Sequence, residues 1–276
     1  MPKPTPDELA LMRANKDVAM YCRLAKMLGH RLEPGRNVLD FGCGHGTIVL
    51  AFRRQGIEAH GVDVKPRWNH SQGVGSEIDQ PGQSEVFSRI DVSEYRFPYE
   101  SGVFDFVFSN MVLEHVQNYK QAFAEISRVL HPDGFSLHVF PSRNFPIELH
   151  SCVPLATRIR SYPYLRLWAA LGLRNSFQKG FSARNTALIN LVYLRTRATY
   201  YSMRKIRGIA APYFGEVEVA SKAYGRCSHT RKRHLYRLLR LLPGSNTLGN
   251  TLFERVIVLR KPKHSAGEGE SMRRAA

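Results

Sequence analysis

Short apolar runs alternate with helical stretches over residues 36–141. The pattern predicts strands at 37–41, 58–62, 85–90, 104–109 and 135–140, with helices at 45–55 and 119–130. Such alternation is the signature of a doubly wound, mostly parallel α/β sheet. Ahead of it, Thr5-Pro6-Asp7-Glu8 reads as a helix start: threonine to cap, proline at the first helical position, and Glu8 to complete a capping box. The helix should run to about Gly29. After Pro141 the texture turns helical up to about Tyr213. Two β-rich runs, 216–220 and 252–259, then follow and would close the sheet as an antiparallel pair. Residues 66–84, rich in Gly, Ser, Gln and Pro, lack an apolar period and read as a long loop. No internal repeat is present.

Charge divides the chain. Residues 1–150 hold 16 Lys+Arg against 18 Asp+Glu, and residues 151–276 hold 24 against 5, so the whole surplus of +17 lies in the second half. A basic half of this kind is suited to an anionic contact: phosphate, nucleic acid or a lipid surface. It equally suits an ordinary solvated face. With 43% apolar residues, no run long enough to span a bilayer and no apolar segment behind the N-terminus, neither a transmembrane nor a secreted protein is expected. Cys22, Cys43, Cys152 and Cys227 form no C-x-x-C pair. They suggest neither disulfides nor a zinc ribbon, and a cytoplasmic home is expected.

The sharpest local signal is Val38-Leu39-Asp40-Phe41-Gly42-Cys43-Gly44-His45-Gly46. Glycines between a strand and a helix admit a ligand close to the backbone, and the helix start behind them offers amides. The spacing is G-x-G-x-G, whereas a dinucleotide fingerprint places its third glycine where Thr47 stands. Asp40, directly before the loop, suits an amine better than a pyrophosphate. Asp63 and Asp91 end the second and third strands, so three acids converge on one crevice. From its place, Asp63 can accept the two hydroxyls of a ribose. An NAD-dependent oxidoreductase fails on both the spacing and Asp40.

With these motifs the chain resembles the class I S-adenosylmethionine-dependent methyltransferases: LDFGCGHG, GVDV, Asp91-Val92, FDFVFSNMVLEHV and RVLHPDGFSLHVF occur in that order between residues 36 and 141. The resemblance implies a Rossmann-like α/β fold, a seven-stranded sheet with an antiparallel last strand. It also implies S-adenosyl-L-methionine as cofactor. By position, Asp40, Gly42, Cys43, Gly44 and Gly46 would hold the methionyl part, Asp63 and Val64 the ribose side, Asp91 and Val92 the adenine. Asn110 and Met111 would line the cofactor beside the transferred methyl. The loop after Asp63 departs from the family pattern and leaves Trp68 and His70 as adenine cover or plain surface.

Candidate bases for an oxygen or nitrogen acceptor are Glu114 and His115, then Glu148 and His150 just past the fifth strand. Each also reads as a packing residue. No ligand spacing links His60, His70, His131 and His138, so no metal is expected. The Pro-Pro-aromatic motif of base-amino methyltransferases is missing where Ser109-Asn110-Met111-Val112 stands.

One domain over 1–262 is expected: an N-terminal helix (1–35), a cofactor core (36–142), a basic helical acceptor cap (143–214), and closing strands with a basic helix inserted (215–262). A disordered tail (263–276) would follow. In the insertion, Leu235, Leu238, Leu239 and Leu242 would share one face and Arg233, Arg237 and Arg240 another, an arrangement suited to packing or to leaning on the inner face of an anionic membrane. The layout is similar to a bacterial subgroup tied to surface glycans and lipid-linked metabolites. It implies O-methylation of a small phosphate-bearing or lipid-linked acceptor. The alternatives are an RNA methyltransferase using the basic half, and a cofactor-binding protein without catalysis.

Overall fold

The computed structural model describes residues 5–65, 86–227 and 254–263. The elements in order are α1 (Pro6–Met27), β1 (Asn37–Phe41), α2 (Thr47–Arg53), β2 (Glu58–Asp63), β3 (Phe87–Arg89) and β4 (Phe104–Asn110). Then come a 3-10 turn (Leu113–His115), α3 (Tyr119–Val129), β5 (Leu130–Pro141), α4 (Tyr162–Ala170), a 3-10 turn (Ser176–Gln178), α5 (Ala183–Thr196) and α6 (Met203–Ala210). The chain closes with β6 (Phe214–Val219), α7 (Ser221–Cys227) and β7 (Glu254–Pro262).

The seven strands form one sheet in the order β3-β2-β1-β4-β5-β7-β6. β1 to β5 pair in parallel, and β7 runs antiparallel to both β5 and β6. The two late β-rich runs therefore close the sheet as expected.

Alternation along each strand feeds two cores. Val38, Phe106, Phe108, Val256 and Val258 face α1, α2 and α7. Leu39, Val107, Ile257 and Leu259 face α3 and α6. This period of two is what puts helices on both faces of a buried sheet. A third, smaller core joins Leu165 of α4 to Ala187 and Leu194 of α5, with Val153, Ala156 and Tyr200. It carries the cap that follows β5.

Local chemistry sets most of the boundaries. Thr5 accepts from the Glu8 amide at 3.2 Å and Glu8 accepts from the Thr5 amide at 2.7 Å, which completes the expected capping box. α1 stops at Met27, two residues before the expected end, where Leu28 forms the C-cap. α2 starts at Thr47 and not at His45, because Gly46 takes a left-handed φ of 74° at its N-cap.

β5 begins five residues earlier than expected. Leu130 pairs with Phe104 and Phe135 with Phe106, so the turn His131-Pro132-Asp133-Gly134 bulges out within one continuous strand. A Cβ at Gly134 would stand 2.9 Å from the Asp105 carbonyl oxygen, which is why the bulge returns on glycine. Of the expected third strand, Phe87–Arg89 is strand and Ile90 already leaves it. The loop at 66–84 with Trp68 and His70, the basic helix around Leu235 to Leu242, and the tail lie outside the described residues.

Candidate functional site

Strand order reverses between β1 and β4, and the carboxyl ends of both strands open there into a crevice. A cavity of about 640 Å³ occupies it. One end is lined by Phe41, Gly42, Gly44, Asp63, Val64 and Val92; Asn110 and Met111 lie at the centre of the sheet edge; His115, His150, Tyr193 and Arg197 close the other end. Two stretches far apart in sequence, the glycine loop and the cap, thus wall a single space.

The glycine loop is shaped by contacts that leave no room for side chains. Gly42 has φ 85°, and a Cβ there would stand 2.3 Å from Val112 Cγ2. At Gly46, φ 74°, it would meet the Phe87 ring at 2.5 Å. Gly44 differs, since at φ 56° a Cβ would find nothing within 4 Å. The loop amides are engaged at home. Gly42 and Cys43 donate to the Val62 carbonyl at 2.7 and 3.2 Å, Gly46 donates to the Cys43 carbonyl at 2.9 Å, and Gly44 donates to Asp63 Oδ2 at 2.9 Å. Loop amides spent in this way make a poor pyrophosphate cradle.

Asp63 also accepts the Lys65 amide through Oδ1 at 2.9 Å. A carboxylate has about four acceptor positions. Two are used here, and two are left for the vicinal hydroxyls of a ribose. Asp40 is buried behind the loop and not in the cavity wall; burial first, and the Asp63 charge second, push its pKa up to about 8. Cys43 is likewise behind the loop, its thiol pushed up by burial and by Asp40 and Asp63. A Cβ at the neighbouring Gly61 would stand 2.7 Å from the Cys43 sulfur.

Asp91 and Val92 part company. Val92 lines the cavity, while the exposed Asp91 carboxylate turns back to accept the Ser93 amide at 2.7 Å and the Ser93 hydroxyl at 2.5 Å. Both bonds go to Oδ1 and form a local turn, which leaves Oδ2 with acceptor positions to spare. Met111 adopts φ 57° with its amide bonded to the Val139 carbonyl at 2.8 Å, a strained conformation that turns the chain from β4 across the cavity floor.

The cap end is an imidazole and phenol cluster. The rings of His115 and His150 lie 4.9 Å apart, and His150 is 4.9 Å from Tyr193. Beneath His150 sits Glu148, fully buried. Its carboxylate accepts His150 Nδ1 at 3.0 Å, the Tyr200 hydroxyl at 2.7 Å and the Ser151 amide at 2.6 Å. Burial works to raise its pKa, but the bonds from His150, Ser151 and Tyr200 outweigh it and hold the carboxyl at about 2. Glu148 is therefore ionised, and in the bond between them His150 Nδ1 is the donor. His115 is oriented similarly, since its Nδ1 faces the Arg197 carbonyl at 3.0 Å and a carbonyl can only accept. Its Nε2 lies 3.9 Å from the buried Glu114.

The cap locks this cluster from outside. Asn175 donates to the His150 carbonyl at 2.7 Å, and Arg160 bonds the Leu194 and Ala198 carbonyls at the end of α5 at 2.7 and 3.1 Å. Tyr193, Arg197 and Tyr200 were not distinguished by the sequence. They lie among many aromatic and basic residues of the cap; the phase of α5 on the third core selects Tyr193, and the path of the chain at and beyond its C-cap places Arg197 and Tyr200. Among the described residues no group of His, Cys, Asp and Glu could hold a metal, and no helix is long and apolar enough to cross a membrane.

The cavity fits an S-adenosyl group on these grounds: open space over Gly44, spare acceptor positions on Asp63, and loop amides at Gly42, Cys43, Gly44 and Gly46 already bonded within the protein. Comparison with known proteins agrees. The profile of a family described as "methyltransferase domain" matches residues 13–240. A sterol 4-C-methyltransferase of Caenorhabditis elegans is 28% identical over 118 residues, 42% of this chain and 34% of that protein. A norajmaline N-methyltransferase of Rauvolfia serpentina is 32% identical over 113 residues, 40% of this chain and 37% of that protein. The matched stretch thus spans little more than a third of the length of these curated relatives. A crystal structure of an S-adenosylmethionine-dependent methyltransferase from Mesorhizobium loti superposes with a TM-score of 0.50 at 15% identity, covering 89% of this chain and 99% of that one. The chain belongs to the methyltransferase-domain family, with the fold of the class I S-adenosylmethionine-dependent enzymes.

Proposed function

We propose that the protein transfers a methyl group to an oxygen of a small phosphate-bearing or lipid-linked acceptor of glycan type, with His150 as general base. The observation that carries this reading is the Glu148 to His150 bond at 3.0 Å, beside a cavity that runs unbroken to the glycine loop.

Bound S-adenosylmethionine supplies a methyl group activated on a sulfonium. The residues of the chain then have three tasks. Gly44, Asp63, Val64 and Val92 orient the nucleoside and methionyl parts, and Asp40 places a carboxyl behind the loop where it attracts the amine. Asn110 and Met111 narrow the passage between the two ends, so that attack is in line and water is kept out. His150 Nε2 takes the proton of the acceptor hydroxyl as the oxygen attacks, and Glu148 stabilises the imidazolium through Nδ1–H. His115 and Tyr193 wall the acceptor end, and Arg197 sets a cation there that suits a phosphate.

In this reading residues 1–262 act as one methyltransferase domain, with 36–142 as the cofactor core and 143–214 as the acceptor cap. The test is transfer of labelled methyl from S-adenosylmethionine into a cell extract split into small-molecule, lipid and RNA fractions. Label is expected in the first two and is expected to be lost with His150→Ala. Label confined to RNA would replace this acceptor class with nucleic acid.

A further inference from the structure

The outer face of the cap is apolar and cationic at once. On α5, Leu188, Ile189 and Val192 are exposed, Val192 at 59%, while Thr186, Ala187, Asn190 and Leu194 are buried. At 100° per residue the exposed three fall on one side of the helix, flanked by the exposed Arg184 and Arg195. α4 adds Leu167 and, at its C-cap, Leu171 at 64% exposure. The connection between the helices adds Phe181 and Phe177, the latter 89% exposed on its 3-10 turn beside Lys179. Single exposed apolar side chains are ordinary on soluble proteins; a run of them on one helix pair marks a contact surface.

Charge narrows the partner. Residues 151–215 carry eleven Lys+Arg and not one Asp or Glu. A nucleic acid would use the cations but leave Leu188, Ile189 and Val192 facing phosphates. The surface of an anionic bilayer accepts both classes of side chain, apolar ones in the acyl boundary and Lys or Arg at the lipid phosphates. We propose that the outer face of the α4 and α5 pair docks on an anionic lipid membrane, inserting Phe177, Leu171, Leu188 and Val192 with Arg166, Arg184 and Arg195 at the headgroups.

The placement ties membrane to site. Tyr193 lies on the inner side of the same α5 and lines the cavity. One helix thus carries both the proposed membrane face and a wall of the cavity. The surface deepens the acceptor reading but does not rest on it.

The test is flotation of the whole protein with vesicles of phosphatidylcholine alone and of phosphatidylcholine mixed equally with phosphatidylglycerol. Flotation is expected with the mixed vesicles only, weakened by high salt. The triple variant Phe177→Ser, Leu188→Ser, Val192→Ser keeps every charge and should lower partitioning about tenfold or more, with S-adenosylhomocysteine binding unchanged. Should the triple variant fail to fold, Phe177→Ser alone, at a site that packs against almost nothing, should still cost about fivefold. The proposal is overturned by no flotation with the mixed vesicles, by a charge-neutral variant that floats as well as the wild type, or by single-stranded RNA holding the protein more tightly than the vesicles do. Cofactor binding and methyl transfer are read separately, so the failure of either proposal is recognisable without the other.

Discussion

Glu148 Oε1 accepts a hydrogen bond from His150 Nδ1 at 3.0 Å, and the same oxygen accepts the Tyr200 hydroxyl at 2.7 Å. A buried carboxylate with its acceptor positions filled fixes one tautomer of the imidazole above it. Glu148→Gln should remove that bias and the stabilisation of the imidazolium. We expect methyl transfer to fall about 10²-fold or more, with affinity for S-adenosylhomocysteine within a factor of about two of wild type. Titration calorimetry beside a transfer assay separates the two. Equal loss of both would assign Glu148 to folding alone.

The same residue makes a stability prediction. Its folded pKa of about 2 lies below the ordinary 4.5, so the stabilisation is complete above pH 4.5 and disappears as pH falls toward 2. The contribution is about 3 kcal/mol. Urea unfolding of the wild type should weaken over that window, and the Glu148→Gln variant should lack this component of the acid dependence.

Asp40 has the opposite sign. Its folded pKa of about 8 lies above the ordinary value of 3.8, so the ligand-free fold loses stability as pH rises from about 4 to 8. A ligand ammonium near the carboxyl would favour the ionised form. Binding of S-adenosylhomocysteine at pH 7 should then release close to one proton, and the Kd should tighten as pH rises toward 8. Calorimetry in buffers of different ionisation heat measures the proton directly. Asp40→Asn should abolish the release.

The glycines of the loop separate folding from binding. Gly42→Ala combines a left-handed φ with a Cβ 2.3 Å from Val112 Cγ2, and should cost about 2–5 kcal/mol of stability. Gly44→Ala carries the backbone strain without a clash, about 1–2 kcal/mol. Because its Cβ enters open space beside Asp63, Gly44→Ala should fold yet bind S-adenosylhomocysteine poorly. Thermal unfolding and calorimetry on the pair would show the contrast.

Asp63→Ala removes the acceptor of the Gly44 and Lys65 amides along with the two remaining acceptor positions. We expect a loss of about 2 kcal/mol or more in S-adenosylhomocysteine binding. A ligand lacking the ribose hydroxyls should bind wild type and variant with nearly equal affinity. If it discriminates between them as strongly as the full ligand does, Asp63 acts through the loop alone.

The sequence alone determined the sheet, its helices and the glycine loop, because each is written in local terms. Apolar positions of period two mark the strands, the Thr5 to Glu8 box marks the start of α1, and three glycines mark the turn that only positive φ can make. It also brought Asp63 and His150 forward by residue type and place. What it left open was every relation between distant segments. That Asp40 lies behind the loop is decided by burial in the sheet. Glu114, His115, Glu148 and His150 were all candidate bases by residue type and place. The fold seats Glu148 under His150, and packs α5 so that Tyr193 faces the cavity and Val192 faces outward. Adjacent residues on a helix point about 100° apart. Which of them meets the ligand depends on how the whole helix is docked, and that is set by the core beneath it.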